Sequence, residues 1–433
     1  MERFAMDRLA EWKVSKNRKP LIIGGARQVG KTWLLKEFGR RYFTNTVYIN
    51  FDRDRSVAAL FDGGLEPERI IRGLRVYTGT DIKPEETLII FDEVQEAPRA
   101  LASLKYFCED APEYMIASAG SLLGVALHEG TSFPVGKVDR IELYPMTFRE
   151  FLNAIGQKDL ADIIAEQDQQ MISMLRDRLM DYLRQYYVIG GMPEAVKTYR
   201  DTQDFSKVRE VQEGLLDFYR EDFSKHADPR LTERLNQVWD SIPMQLAKEN
   251  RKFIFGQARQ GARAKDLDLA IQWLSDCGLI HPVHNLTVPK YPLKSYSQMD
   301  AFKIYLLDVG LLMAMEDVSP AAVISGNQVF TEARGAMTEQ FVLQQIIAET
   351  GKKPYYFSAQ NSRMEIDFII QSSNGIIPIE VKAEENLRAK SLRVFCEKYP
   401  HEYAVRFSMS DYREQDWMIN VPLYEVEWLK DKV

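Results

Sequence analysis

Short apolar runs alternate with longer segments of mixed polarity through the first third of the chain. Each run is rich in Val, Ile, Leu or Phe, which predicts a buried strand, and helical periodicity fills several of the intervals. Strands that alternate with helices indicate an α/β domain with a parallel sheet covered on both faces. The predicted strands lie at residues 20–24, 46–52, 87–93, 114–121 and 139–143.

The pattern changes after this region. From residue 144 to about 199 it is helical, with a Gly-Gly-Met-Pro turn at 190–193, which suits a small helical lid. Helical segments at 240–249 and 264–277 and a hairpin-like stretch then suggest a winged helix. From about residue 330 an amphipathic helix (336–350) and three strands predict a second α/β domain. Those strands lie at 354–358, 365–370 and 376–382.

Composition and charge narrow the class of protein. With 45% apolar and 27% charged residues, the 433-residue chain is typical of a globular protein of several domains. It has no apolar run near the ~20 residues of a membrane span, and its N-terminus lacks a signal-peptide core. Three scattered cysteines indicate a reduced compartment, so we expect a cytoplasmic protein without a membrane partner. The net charge of −7 argues against a uniformly basic nucleic-acid binder but allows a local basic groove.

The turn after the first predicted strand fits the phosphate-binding pattern G-x-x-x-x-G-K-T. Two glycines allow the backbone to curl so that successive N–H groups point at one anion. Lys31 can then reach the β- and γ-phosphates of ATP, and the Thr32 hydroxyl can ligate Mg²⁺. The predicted nucleotide-binding residues are Gly25, Ala26, Arg27, Gln28, Val29, Gly30, Lys31 and Thr32.

Two acids, Asp92 and Glu93, end the strand predicted at 87–93. Carboxylates at the C-terminal end of a parallel strand lie beside the phosphate loop. We therefore expect Asp92 to hold Mg²⁺ through water and Glu93 to polarise the attacking water, with Lys31 as the third catalytic residue.

A polar residue at the end of the 114–121 strand is a candidate γ-phosphate sensor. In the additional-strand class of P-loop ATPases, such a side chain lies on the strand beside the strand that carries the acid. Ser121 is the first candidate and Ser118 the alternative, and either could instead be a turn residue.

Four polar residues of the C-terminal segment form a second constellation. Glu380 and Lys382 are two residues apart and share one face of a strand, and Asp367 could lie opposite them across a hairpin. Together with Glu339 on the preceding helix, they suit metal-assisted hydrolysis, with Asp367 and Glu380 as metal ligands and Lys382 serving the attacking water. The alternative is an exposed strand face with an ion pair.

The most basic local stretch lies in the predicted winged-helix segment. It is either a nucleic-acid face or a solvated helix face. Its residues are Asn250, Arg251, Lys252, Arg259, Arg263 and Lys265.

Several segments together resemble a widespread group of bacterial and archaeal ATPases of the extended AAA+ class. They are GGARQVGKT, IIFDEVQEAP, AGSLLGVAL, FPVGKVDRIELYPMTFREFL, GGMPEAV, FKIYLLDVGLL and EIDFII with IPIEVKAEENLRAKSL. The resemblance implies an ATPase core (1–155), a helical lid (156–230), a winged-helix segment (231–329) and a domain similar to the PD-(D/E)xK, restriction-endonuclease-like fold (330–433). It carries ATPase roles to Lys31, Thr32, Asp92 and Glu93. Many relatives have an arginine where Lys137 stands, and Arg140 is the nearest substitute for a finger-type role.

Two functions follow as hypotheses. The first is a Mg²⁺-dependent ATPase whose cycle acts on a C-terminal module that binds DNA or RNA or cleaves it. The second is a nucleotide-dependent switch for a protein partner, in which the nuclease-like domain is catalytically dead. Either could act as a homo-oligomer.

Overall fold

The computed structural model describes residues 1–120, 133–248, 251–325, 328–359, 364–383 and 390–433, with side chains from residue 334 onward in the helix that begins at Gln328. The chain divides into two compact units. The N-terminal unit comprises Glu2–Tyr144 and Asp276–Leu279, and the C-terminal unit comprises Pro145–Ser275 and Ile280–Val433. No helix among these described residues is long and apolar enough to cross a membrane.

The N-terminal unit alternates strands and helices as the sequence predicts. Its elements are α1 (Ala5–Val14), β1 (Leu21–Gly24), α2 (Lys31–Tyr42), β2 (Asn45–Asn50), a 3₁₀ helix (Arg55–Phe61), α3 (Pro67–Thr78), β3 (Thr87–Asp92), a 3₁₀ turn (Val94–Glu96), α4 (Pro98–Asp110), β4 (Met115–Ala119) and β5 (Asp139–Glu142).

The five strands of this unit form one parallel sheet in the order β2-β3-β4-β1-β5. β4 lies between β1 and β3, so the expected additional strand separates the phosphate-loop strand from the strand that carries Asp92. Ile22, Phe91 and Ile116 are buried in a core that also contains apolar residues of α3 and α4. The predicted α/β P-loop NTPase fold is confirmed, and each predicted strand is present with ends shifted by one or two residues.

The C-terminal unit is helical first and mixed afterwards. Its helices are α5 (Phe148–Ala154), α6 (Lys158–Glu166), α7 (Gln169–Met174), α8 (Arg176–Ile189), α9 (Pro193–Thr202), α10 (Phe205–His226), α11 (Pro229–Leu246), α12 (Phe255–Ala258), α13 (Ala264–Asp276), α14 (Val309–Met315), α15 (Pro320–Ile324), α16 (Gln328–Thr350) and α17 (Lys390–Lys398). Its strands are β6 (Ile280–Leu286), β7 (Ser297–Leu306), β8 (Tyr355–Ser358), β9 (Glu365–Gln371), β10 (Ile376–Val381), β11 (Val405–Ser408), β12 (Arg413–Glu414) and β13 (Ile419–Pro422). Two 3₁₀ segments, Leu293–Tyr296 and Leu423–Lys432, complete it.

One sheet runs through the whole second half of this unit. Its eight strands lie in the order β12-β13-β11-β10-β9-β8-β6-β7. The hairpin expected of a winged helix is present as the antiparallel pair β6–β7, and β6 also pairs with β8. The boundary predicted between residues 329 and 330 therefore falls within one continuous sheet. The domain boundaries from sequence stay a prediction.

Two helices differ from their predicted form. The helix predicted at 240–249 instead begins at Pro229, because the Asp228 carboxylate caps it by accepting from the N–H groups of Arg230 and Leu231. The helix predicted as amphipathic at 336–350 is buried on all sides from Ala336 to Ile347. Its glutamines do not face solvent, since their amides hydrogen-bond to neighbouring chain segments.

The buried side chain of Asp308 links three segments of the C-terminal unit. Its buried carboxylate accepts from the N–H of Gly191 (2.6 Å), the N–H of Leu311 (3.1 Å) and the side-chain amide of Gln344 on α16 (3.0 Å). Gly190 lies so close that a Cβ there would be 2.1 Å from the Asp308 carboxylate, and its φ of +73° also favours glycine. The Gly-Gly turn and the start of α14 are therefore joined through one side chain.

Replacing Asp308 with Ala should destabilise the protein by about 3 kcal/mol, because three buried donors would lose their acceptor. The matched control is Asp204→Ala, which removes an N-cap that accepts from Ser206 N at the start of α10 and should cost about 1 kcal/mol. Urea unfolding followed by circular dichroism measures both values. An equal loss of unfolding free energy in the two variants would contradict the role of Asp308 as the acceptor that links these segments.

Candidate functional site

The loop after β1 has the backbone shape of an anion cradle. Gly25, Gln28 and Gly30 have φ angles of +123°, +66° and +95°, so the chain curls repeatedly between β1 and α2. A Cβ at Gly25 would be 2.2 Å from the carbonyl oxygen of Leu143, which only glycine avoids. Gly30 is the N-cap of α2, whose first N–H groups are directed into the same loop. This cradle fits a polyphosphate.

Lys31, the first residue of α2, folds back over the loop. Its ammonium donates to the carbonyl oxygens of Gly25 (2.8 Å) and Ala26 (2.7 Å), and the side chain is only 8% exposed. Burial lowers the pKa of Lys31 to about 8, although the nearby carboxylates of Glu93 and Asp92 act in the opposite direction. The cation therefore lacks a full countercharge, which an anion in the cradle would supply.

The carboxylate of Asp92 receives donors from two other elements. Its Oδ2 accepts from the Thr32 hydroxyl at the start of α2 (2.9 Å), the Tyr48 hydroxyl on β2 (2.7 Å) and the Asn50 amide on β2 (3.4 Å). Burial and the bond to Asp92 raise the pKa of Tyr48 to about 12, so its hydroxyl is a donor at neutral pH. The Thr32 hydroxyl and the Asp92 carboxylate are thus within hydrogen-bonding distance, which is the proximity that binding of one shared Mg²⁺ requires.

Glu93 follows Asp92 in a left-handed conformation with φ of +50°. A non-glycine residue in this region is strained, and such strain is concentrated at functional sites. The Glu93 carboxylate accepts from the Gln95 side-chain amide at 2.7 Å. The turn thus directs two successive carboxylates differently, with Asp92 held by Thr32 and Glu93 held by Gln95.

The structure describes one of the two candidate γ-phosphate sensors. Ser121 lies outside the described residues. Ser118 is fully buried and in register with Ile22 and Phe91, whose side chains are in the core with α3 and α4, whereas Asp92 is the next residue and points to the opposite face. Ser118 is therefore poorly placed to sense a phosphate.

Lys137 and Arg140 each have an acidic partner within the N-terminal unit. The Lys137 ammonium is 2.8 Å from Glu109, and the Arg140 guanidinium is 2.6 Å from Glu142. Either residue would have to leave its partner before acting as a finger.

Residues that the sequence reading missed support the phosphate loop from a distance. Arg3, two residues before α1, donates to the carbonyl oxygens of Val29 (2.8 Å) and Tyr144 (2.6 Å). Gly278, in the segment Asp276–Leu279, lies so near that a Cβ there would be 3.3 Å from Ala26 N. Like Tyr48, Asn50 and Gln95, these residues have no recognisable local motif. Their contribution becomes visible only when the fold shows which distant segments are in contact.

The four residues of the C-terminal constellation lie in one region of the eight-stranded sheet and α16. β9 and β10 pair with Phe368 opposite Ile379, so one step further brings Asp367 opposite Glu380. Asp367 accepts from the N–H of Val381 (2.8 Å), and Glu380 pairs with the Lys382 ammonium (2.9 Å). Glu339 is engaged elsewhere, by Arg251 and by the Tyr305 hydroxyl (3.0 Å).

Glu380 has one unsatisfied oxygen. The residue is only 4% exposed, and its Oε2 has no hydrogen-bond partner among the residues that the structure describes. Burial raises the pKa of Glu380, with Lys382 opposing this shift and Asp367 adding to it. Across the described ranges no group of three or more His, Cys, Asp or Glu side chains is arranged to hold a metal ion. A cation here would need water or backbone oxygens beside these two carboxylates.

The basic stretch of the predicted winged helix separates into two parts. Arg251 turns toward α16 and pairs with Glu339, and Asn250 lies outside the described residues. The exposed Arg259 and Lys265 instead surround Asp266, where the structure adds Arg234 of α11. The pKa of Asp266 is lowered by the Arg263 N–H and by these three cations.

Three family models match the chain in succession. Residues 17–152 match a family described as an AAA domain. Residues 180–322 and 334–426 match two families that are each described as a domain of unknown function, DUF8612 and DUF4143. No curated protein matches the chain.

The chain is also similar to solved structures at low sequence identity. A Walker-type ATPase of Pyrococcus abyssi is 15% identical over 73% of this chain and 95% of that chain, with a TM-score of 0.44. The Aeropyrum pernix Orc1 protein in complex with DNA is 13% identical over 73% and 92%, with a TM-score of 0.27. The Thermotoga maritima RuvB Holliday junction branch migration motor is 15% identical over 65% and 89%, with a TM-score of 0.29. Because these scores are below 0.5, assignment of the N-terminal unit rests on its own strand order and on the AAA domain match.

The lowered pKa of Lys31 predicts that nucleotide binding is linked to proton uptake. Phosphate charge should raise this pKa, so between about pH 7 and pH 8 ADP affinity should change little, and above pH 8 it should fall by up to about tenfold per unit. Near pH 8 each binding event should take up about half a proton through Lys31, and near pH 7, still above the pKa of about 6 of a terminal phosphate, much less. Calorimetry in buffers of different ionisation enthalpy measures this uptake. Equal uptake at both pH values would contradict the assignment.

Proposed function

We propose that the AAA-type P-loop ATPase domain of this chain binds ATP with Mg²⁺ and hydrolyses it. The convergence of the Thr32 hydroxyl on Asp92 Oδ2 beside the curled loop carries this proposal. Mg²⁺, when bound, would neutralise phosphate charge, and Thr32 and Asp92 are the residues that would hold it.

Each residue of the site has a separate task in this proposal. The Lys31 ammonium moves its hydrogen bonds from the carbonyl oxygens of Gly25 and Ala26 to phosphate oxygens. Charged acceptors form stronger hydrogen bonds than neutral carbonyl groups. Tyr48 and Asn50 orient the Asp92 carboxylate. Glu93 leaves the Gln95 amide and accepts a proton from the attacking water.

Glu93→Gln should leave nucleotide affinity unchanged and lower the ATP turnover rate by about a hundredfold or more, because an amide cannot accept the water's proton. Lys31→Ala should instead abolish nucleotide binding. The matched control is Glu96→Gln, an exposed position three residues further on that should turn over ATP normally. Release of inorganic phosphate measures turnover, and titration with a fluorescent nucleotide measures affinity. Wild-type turnover by Glu93→Gln would disprove the role of Glu93.

We further propose that ATP turnover acts on a module that binds DNA or RNA. The grouping of Arg234, Arg259 and Lys265 around one carboxylate supports this, because clustered cations displace counterions from phosphates. A protein partner would be recognised differently and would not require this cluster.

Changing Arg234, Arg259 and Lys265 to Glu should weaken DNA binding and reduce the slope of log affinity against log salt by about three. ATP turnover without DNA should not change. The control changes exposed cations of the predicted lid, Lys197, Arg200 and Lys207, to Glu. Fluorescence anisotropy over a salt series measures the slope. An unchanged slope would favour the solvated-face alternative and the protein-interaction switch.

The C-terminal constellation supports a second, metal-dependent activity through one feature, the buried and unpartnered Oε2 of Glu380 opposite Asp367. A divalent cation between these carboxylates would relieve their repulsion. Lys382 would position or deprotonate the water that attacks a phosphodiester bond of a nucleic acid. The pairing of Glu339 with Arg251 and Tyr305 favours the opposite hypothesis, a catalytically dead platform.

Mn²⁺ should raise the melting temperature of the full chain if the site binds metal, since ligand binding stabilises the folded state. Asp367→Asn should remove this response, whereas Glu414→Gln, an exposed acid of β12, should retain it. Lys382→Ala should keep the metal response and lose any DNA cleavage. Calorimetric titration that detects no Mn²⁺ binding to the wild type would support the dead-platform hypothesis.

A further inference from the structure

A cavity of about 200 Å³ lies in the C-terminal unit beside α6 and the terminal 3₁₀ segment Leu423–Lys432. Its volume equals about six water molecules, enough for an alkyl chain with a polar head. Apolar residues of α6 form one wall. The polar and aromatic lining consists of Gln167, Glu425, Glu427, Trp428, Lys430 and Asp431.

The lining has more negative than positive groups. Three carboxylates face the cavity with one ammonium, that of Lys430. Glu427 is offset by the Arg149 guanidinium at 2.9 Å. Among the lining residues, Glu425 and Asp431 then share one ammonium, that of Lys430, and Asp431 also accepts from the Gln167 amide at 3.5 Å. The lining keeps a net negative charge that a bound cation would offset.

Glu425 gives the most direct indication of a missing donor. The residue is 1% exposed, and its Oε1 accepts from the Gln169 amide at 2.9 Å. Its Oε2 is buried and has no hydrogen-bond partner within the described part of the chain. Leaving such an oxygen unsatisfied is costly, so a donor in the cavity would stabilise the site. Burial raises the pKa of Glu425 to about 7, with Asp411 adding to this effect and the Gln169 amide opposing it.

The chemistry of the walls favours an organic cation over a metal ion. The described side chains include no group of three His, Cys, Asp or Glu in metal-binding proximity. The indole of Trp428 lines the cavity, and aromatic faces attract ammonium groups. The Lys432 ammonium already lies 5.2 Å from the centroid of this ring.

We infer that this cavity binds a primary alkylammonium group, which donates to Glu425 and Asp431 and lies against Trp428. The group could come from a free diamine or from a lysine side chain of a partner protein. Both present the same three-donor head on an alkyl stem, and the apolar wall of α6 would cover that stem. This site is separate from the nucleotide site and does not depend on ATP turnover.

Calorimetric titration of the full chain tests the inference. The probes are 1,5-diaminopentane, an end-blocked Gly-Lys-Gly tripeptide and the neutral 1,5-pentanediol. We expect one or both ammonium probes to bind and the diol not to bind. Tighter binding of the diamine indicates a free polyamine, and tighter binding of the tripeptide indicates a protein partner.

Glu425→Gln should weaken the binding of the ammonium probe by about tenfold or more while keeping the bond to Gln169. Asp431→Asn, at an exposed position, is a second variant that should fold normally and also lose affinity. The matched control is Glu397→Gln on α17, an exposed acid outside the cavity. Absence of binding by both ammonium probes in the millimolar range would overturn the inference. So would equal affinities in the wild type and both cavity variants.

Discussion

One carboxylate oxygen, Oδ2 of Asp92, connects the elements on which the nucleotide site depends. It accepts from Thr32 at the start of α2 and from Tyr48 and Asn50 on β2. The parallel register that sets Asn50 opposite Asp92 fixes these donors in place. Three donors on one oxygen form the kind of environment that a divalent cation can enter when it displaces one of them. The curled loop and the buried Lys31 supply the anion-binding half of the same site.

The C-terminal unit is organised by a different constraint, the burial of polar side chains at its centre. Tyr186 donates to the carbonyl oxygen of Met146, and Gln344 of α16 donates to Tyr186 and to Asp308. A half-satisfied network of this kind would be unstable, so each member depends on the others. The network joins the segments GGMPEAV and FKIYLLDVGLL. The glycines of the first contact the aspartate of the second, and both belong to one structural joint.

The sequence predicted what depends on local pattern. The strand, glycine turn and helix around Lys31 lie within a short stretch, and the acid pair after an apolar run marks the end of β3. Contacts between distant segments were not accessible in this way. Tyr48 reaches Asp92 only through the register of β2 with β3, and Arg251 reaches Glu339 across 88 residues. The burial of α16 was missed because its glutamines have a polar composition and nothing local shows that their amides are satisfied inside the protein.

The central claim is that Thr32 and Asp92 together hold the cation that accompanies the nucleotide. A crystal structure of the full chain with a non-hydrolysable ATP analogue and Mn²⁺ tests it most directly, since anomalous scattering locates the ion. The account predicts the Mn²⁺ peak between the Thr32 hydroxyl and Asp92, with the Lys31 ammonium moved from the carbonyl oxygens of Gly25 and Ala26 to the phosphates. An ion remote from Thr32 and Asp92, or a nucleotide bound while Lys31 keeps its present contacts, would contradict the account.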